Sequence, residues 1–425
     1  MAQQLDRWSR FVPYLLPDAA EQALAMANRR VIAEQLAALQ QLDTNPDTAL
    51  DAADSALRGL DADDVVARAA ADVVAHRVTD RRAPAAAAVL GTLAACHLAD
   101  DAQRGIDDWR TRFAFVQGTT PAVLATLRDA VAAVAHLSGE WWAIRSPLVG
   151  GAYADRRVGL AAAPATLAEH TAAAAAGIGW ACPPLATKAV SAAARVVPGA
   201  DNQVVIEADG RISATVSHRP TPRGSLMVAH ETGHTVHALV AQSPDPPGAL
   251  VGETVACWAS LVTGRRSAPE LPALALALGD TLVEELFVSA AVSAFEDSVY
   301  RLAADGSVTS VALDDAWLAA HTALWAGVVD VPAHVASGWA RLPALATDPG
   351  HAFSYVWATV LALAIERRHL HDEAGVVRAA FEAGGIDADQ FTALLGFSGT
   401  EWIDEGCARL AEVLRDAGQV VAASG

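Results

Sequence analysis

The stretch Met227-Val228-Ala229-His230-Glu231-Thr232-Gly233-His234-Thr235-Val236-His237 decides how this chain is read. Inside it, His230 to His234 is an H-E-x-x-H. On a helix, positions four apart lie one above the other on the same face. Two imidazoles then stand side by side, as two corners of a tetrahedral zinc site require. Glu231 follows the first imidazole and is placed to take a proton from a metal-bound water. Five residues can match by chance in a chain of 425, so the surroundings must carry the assignment.

A catalytic zinc takes a third protein ligand and keeps one position open. After the motif, Ser243-Pro244-Asp245-Pro246-Pro247-Gly248 forces a turn. A second helix is expected from about 250 to 263, ending at Gly264 with Arg265 and Arg266. A short loop makes the two helices antiparallel neighbours. Glu253, with 18 residues between it and His234, is the candidate third ligand. The competing reading is a surface glutamate favoured in a first turn by the helix dipole. His237 shares the face of both histidines, but its rise from His230 is about 10 Å. One straight helix cannot bring all three to one metal, so His237 reads as a supporting or substrate-side residue. Gly233 costs about 1 kcal/mol in mid-helix. That implies close approach of another backbone, or room for substrate, beside the metal.

Upstream, Val204-Val205-Ile206-Glu207-Ala208 and Arg211-Ile212-Ser213-Ala214-Thr215-Val216-Ser217 flank Asp209-Gly210 and read as a hairpin. Its edge could receive an extended peptide, or it could be an ordinary small sheet. Ser225 is expected to cap the helix that follows. The rest is helical. Leu16-Pro17-Asp18 starts a helix whose apolar residues Leu24, Val31, Ile32, Leu36 and Leu39 fall mostly at gaps of threes and fours. Asn45-Pro46-Asp47 and Thr119-Thr120-Pro121 punctuate this region. Trp141-Trp142 and Gly150-Gly151 break the rhythm, the tryptophans reading as packing residues. Further helices are expected at about 164–176, 282–302, 314–326, 333–340 and 353–369.

Composition sets the bounds. Apolar residues are 53% of the chain, so a large core is possible. The net charge of −19 argues against a nucleic-acid partner, which needs a basic face. No long uncharged apolar stretch is evident, so no membrane span is expected. Cys96, Cys182, Cys257 and Cys407 are scattered and read as reduced thiols of a cytoplasmic protein.

With these residues in view, the chain resembles the thimet oligopeptidase/oligoendopeptidase F zinc peptidases. The family pattern H-E-x-G-H-x-x-H is met by His230 through His237. Its third ligand, a glutamate opening the next helix, lands on Glu253. Ala294-Phe295-Glu296-Asp297-Ser298-Val299-Tyr300 is similar to the family's F-E-x-x-x-Y helix. Gly338-Trp339-Ala340-Arg341-Leu342-Pro343, then Ser354-Tyr355-Val356-Trp357, resemble the approach to its tyrosine-bearing helix. Glu382 to Gly385, followed by Leu395-Gly396, is similar to its Gly-Gly segment, and Tyr153-Ala154-Asp155-Arg156 to its entry segment. The likeness covers about 140 to 425.

The resemblance implies a mainly α, two-lobed zinc-peptidase fold with a small β-hairpin or sheet beside the metal helix. A helical N-terminal lobe would occupy 1–140 and the catalytic region 141–425. It implies Zn2+ on His230, His234 and Glu253, with Glu231 as base. Tyr355 would stabilise the oxyanion while oligopeptides are cut between the lobes; His351, four residues earlier, either joins it or is a loop histidine with no catalytic part. Three positions depart from the family: Ala344 replaces a histidine, Phe353 a tyrosine, and Ser260 an acid seven residues after the third ligand. Two alternatives stand beside this reading. One is an aminopeptidase of the glutamate-ligand class, although residues 211–217 carry no acid to hold a substrate amine. The other is a peptide-binding relative that keeps zinc with little turnover, against which the intact Glu231 speaks.

Overall fold

A computed structural model describes residues 14–45, 65–199, 202–206, 211–241, 248–325, 328–372 and 374–423. The chain is mainly helical, with one small sheet. Helices α1 (Asp18–Thr44), α2 (Val65–Arg104), α3 (Trp109–Gln117), α4 (Pro121–Ala133) and α5 (His136–Val149) come first. Next are α6 (Leu167–Ala181), α7 (Ala186–Ala193) and strands β1 (Val196–Pro198), β2 (Gln203–Ile206) and β3 (Ile212–Val216). The centre of the molecule is built from α8 (Pro222–Ala241), α9 (Ala249–Ser267) and α10 (Pro272–Val283). A π-helical turn, Glu284–Val288, joins α10 to α11 (Ser289–Ala304). Then follow α12 (Ser310–Trp325), a 3-10 segment at Ala333–Arg341, and α13 (Ala344–Thr347). The last are α14 (His351–His369), α15 (Val376–Glu382), α16 (Ala388–Leu394) and α17 (Glu401–Ala422).

Local chemistry explains many of the helix starts. Thr120 accepts from the Val123 N–H ahead of Pro121, and Thr166 and Glu169 form a capping box. Helix α8 begins four residues earlier than a cap at Ser225 would place it. Thr221 is the cap, its hydroxyl accepting from the Gly224 N–H at 3.1 Å, with Pro222 in the first helical position.

The sheet has strand order β1-β3-β2. β3 pairs antiparallel with β2, as the hairpin reading requires, and parallel with β1. The Asp209-Gly210 turn lies outside the described residues. β3 is therefore central, and any strand addition would fall to an outer strand. Ala214 and Val216 of β3 pack with Val196 and with Val228 of α8, so the sheet braces the helix two residues before its motif.

One apolar core runs from Ala83 to Val421. α9 and α14 cross it and are buried around most of their circumference, as helices without an amphipathic pattern must be. Their few polar groups therefore need reasons. α8 packs on α9, α9 on α14, and α14 on α17. Trp141 and Trp142 are core residues, Trp141 donating to Asp280 at 2.8 Å. Gly150 packs against Asp155, which forms a buried ion pair with Arg68 of α2 at 2.8 Å.

Among the described residues α2 is long and apolar enough to cross a membrane, and α4 with α5 passes as a pair bent by 42°. In the fold, α2 packs against the 3-10 segment, α11 and α1. Its buried Arg82 reaches Asp43 at 2.6 Å and the Ala340 carbonyl at 3.0 Å.

Candidate metal centre

The site starts from a glycine. A Cβ on Gly233 would lie 2.8 Å from the Ala256 Cα, 2.8 Å from the Ala259 Cβ and 2.9 Å from the Val255 oxygen. With no side chain there, α8 and α9 approach backbone to backbone. Of the two explanations for Gly233, close helix contact is the one this geometry satisfies. The same contact carries Glu253, in the first turns of α9, across to the imidazoles of α8.

His230 and His234 stand one turn apart, their ring centroids 4.9 Å from each other and the rings nearly perpendicular. Glu253 Oε2 lies 3.3 Å from His230 Nε2 and 3.8 Å from His234 Nε2. That oxygen is buried and has no hydrogen-bond partner. The three donor atoms lie within 4.8 Å of one another. Ligand atoms on a tetrahedral zinc, with bonds of about 2.1 Å, sit roughly 3.4 Å apart. The donor types, the spacings and the orphaned oxygen therefore fit a divalent cation of zinc's size.

The charges are set by this crowding. Burial pulls His230 down, but Glu253 beside it, then Glu231 and Glu285, raise it to about 9. Burial pushes His234 to about 4, only partly countered by Glu253. Glu253 itself falls to about 2, since the two imidazoles outweigh its burial. Glu231 is buried, and burial with the nearby Glu253 raises its proton affinity against the pull of His230. Without a cation these carboxylates favour the protonated form of His230, and a bound cation would displace that proton.

The other wall is α14. Tyr355 lies nearly parallel to His230, with ring centroids 6.1 Å apart. His351 stands one turn earlier, its ring edge-on to Tyr355 at 5.3 Å. His351 Nδ1 is 3.2 Å from Asp348 Oδ2, and this carboxylate raises the imidazole's pKa against its burial. Burial pushes the Tyr355 hydroxyl well above its ordinary value, so it keeps its proton. α14 is anchored at its start, where the Gly350 N–H donates to the buried Glu296 at 2.9 Å. Gly350 has φ +86, a conformation that favours glycine.

All six residues expected to act here, His230, Glu231, His234, Glu253, His351 and Tyr355, come together. His237 does not join the donor set. It is buried beside Phe381, ring centroids 6.3 Å apart, and burial lowers it to about 4. The three departures are apolar or locally satisfied. Phe353 packs edge-on against Phe113 at 6.2 Å, Ala344 opens α13, and Ser260 donates to the Leu226 carbonyl at 2.7 Å.

Two residues of the site were not singled out from the sequence as site residues. A ring nitrogen of His230, the Cys257 sulfur and a Glu285 carboxylate oxygen also lie within 4.8 Å of one another. A signal was present in both cases. Cys257 follows Glu253 by one helical turn, and Glu284-Glu285 interrupts the apolar run from Leu282 to Val288.

No family model and no curated protein matches the chain. Solved structures do, and they define a class of fold first: the helical fold of oligoendopeptidase-like peptidases. A Chlamydophila abortus protein provisionally classed as a peptidase superposes with TM-score 0.79 at 14% identity, over 98% of this chain and 77% of that one. PZ peptidase A, solved with an inhibitor, gives 0.75 at 12% identity, over 99% and 80%. Oligoendopeptidase F from Enterococcus faecium gives 0.67 at 16% identity, over 87% and 66%. At these identities the likeness establishes the fold.

Proposed function

We propose that this chain is a zinc-dependent peptidase that hydrolyses peptide bonds of oligopeptides. The observation that carries this reading is the convergence of His230, His234 and the unpartnered Glu253 oxygen at zinc-ligand spacings. Glu231 beside them and Tyr355 across from them complete the set. The shared fold with peptidases supports the same reading.

Zn2+ held by the three ligands supplies a Lewis acid and a water of lowered pKa. Glu231 takes a proton from the attacking water and returns it to the leaving amine. Its raised proton affinity suits a base working near neutral pH. As the scissile carbonyl becomes tetrahedral, the Tyr355 hydroxyl donates to the developing oxyanion. His351, drawn toward its charged form by Asp348, donates to the same oxygen. The family's histidine is absent at Ala344, and His351 takes that part from the first turn of α14. The four unpaired cysteines suit a reducing compartment, so the proposal extends to cytoplasmic peptides as substrates.

The test combines metal analysis of the purified protein with incubation of a mixed peptide library, products being read by mass spectrometry. Internal cuts that fall by 10²–10⁴-fold in Glu231→Gln, with zinc still bound, are expected. Cuts confined to the first residue would replace the reading with an aminopeptidase. Bound zinc without cleavage of any peptide would point to a zinc-retaining binding protein.

A further inference from the structure

Glu285 sits where its chemistry is unused by the reaction just described. It lies in the π-helical turn Glu284–Val288, and such turns redirect side chains that a continuous α-helix would aim elsewhere. The two successive glutamates are split by this turn. Glu284 pairs with Arg223 in the first turn of α8. Glu285 comes within 4.8 Å of a ring nitrogen of His230, two turns further along the same helix. The Cys257 thiol, one turn beyond the ligand Glu253 on α9, lies against both.

A metal-bound imidazole uses one ring nitrogen for the metal and holds its orientation through the other. The partner is ordinarily a carboxylate, a backbone carbonyl or a water. His230 Nε2 faces Glu253. Three carboxylates crowd His230 most strongly, Glu253, Glu231 and Glu285, the last within 4.8 Å of a ring nitrogen. The first is a ligand in the proposed site and the second the base, which leaves Glu285. A separation under 4.8 Å is spanned by one bridging water, or closed by a small side-chain rotation. Ser260, on the ligand helix, cannot serve as an anion, and its hydroxyl already donates to Leu226.

We propose that Glu285 is the positioning carboxylate of this centre. Carried by the π-helical turn, it fixes the ring of His230 for zinc, and the Cys257 thiol buttresses it without binding the metal. This rests on the zinc site proposed above, and the experiment keeps the two apart.

Zn2+ affinity would be measured by competition with a chromophoric chelator for the wild type, Glu285→Gln, Glu285→Ala and Glu285→Asp. Thermal melts of the metal-free proteins and Co2+ absorption spectra would accompany it. The Gln and Ala variants should bind Zn2+ 10–100-fold more weakly, and Asp should recover part of the loss. The metal-free Gln variant, which keeps the side chain's shape, should melt near the wild type. The Co2+ bands should shift in Gln and Ala, since the ring of His230 is less firmly held. An affinity within twofold of wild type in both Gln and Ala would overturn the positioning role. So would a thiolate-to-Co2+ charge-transfer band in the wild type, which would put Cys257 in the coordination sphere. A wild-type protein that takes up no zinc would instead sink the peptidase proposal.

Discussion

At the scale of single residues, Gly233 does as much as any ligand. The three atoms nearest to a Cβ placed there all belong to α9. Gly233→Ala gains about 1 kcal/mol of helix propensity but drives a methyl into backbone, and overpacking of this kind costs about 1–3 kcal/mol. We expect a lower melting temperature and weaker Zn2+ binding, because Glu253 moves away from the imidazoles; thermal melts and chelator competition would show both. His230 gives a second expectation at this scale. Its raised pKa, about 9, means that zinc must displace a proton below that pH. Zn2+ affinity should therefore climb as pH rises toward about 9 and level off above it. Calorimetry in buffers of different ionisation enthalpy should count close to one proton released per zinc at pH 7. An affinity flat from pH 7 to 9 would contradict the assignment. Both histidines and Glu231 were readable from the motif, since i, i+4 spacing is a property of any helix. Glu285 shows in the sequence only as a charge interrupting an apolar run; nothing local ties it to a histidine 55 positions earlier.

At the scale of elements, α14 is placed by its N-terminal anchor. The carboxyl of Glu296 accepts from the Gly350 N–H at 2.9 Å, and burial pushes its pKa up to about 8. A carboxyl with its folded pKa raised contributes stability that is complete below its unfolded pKa, near 4.5, and is lost as pH rises through about 8. The melting temperature should fall over that window in the wild type and vary less in Glu296→Gln. Equal pH dependence in the two proteins would remove Glu296 from this role. Tyr355 and His351 ride on the same helix, so Glu296→Gln above pH 8 should leave zinc affinity nearly unchanged. The helix start at Leu16-Pro17-Asp18 was legible in the sequence, and the caps at Thr120 and at Thr166 with Glu169 are local chemistry of the kind a sequence carries. The π-helical turn was hidden: its residues, Glu284 to Val288, follow a helical pattern that periodicity treats as continuous. The central place of β3 was hidden too, since β1 joins it from an apolar stretch too short to signal a strand.

At the scale of the whole molecule, the site joins four helical pieces spread over residues 222–369: α8, α9, the π-helical turn and α14. A cation bound among them would tie them together. Zinc at 100 times its dissociation constant should stabilise the fold by about 2.7 kcal/mol, provided the unfolded chain binds it weakly. Stripping the metal with a chelator should lower the melting temperature accordingly, and re-adding Zn2+ should restore it. A melt indifferent to chelator would argue against a cation held by all three ligands. The net charge of −19 bears on solubility and on partners, and takes no part in the site.

By itself, the sequence determined the pairing of His230 with His234, the place of Glu231 and the helical class of the fold. These follow from periods of three to four residues, which act within one turn or two. Glu253 was a strong candidate because a short connection makes neighbouring helices antiparallel. Only the tertiary structure decided that Gly233 brings α9 into backbone contact and that the Glu253 oxygen is left unpartnered between two imidazoles. It also decided that Tyr355 lies over His230 and that Glu285 reaches the same ring. Those relations depend on how buried helices pack, and packing answers to the shape of the whole core rather than to any stretch of chain.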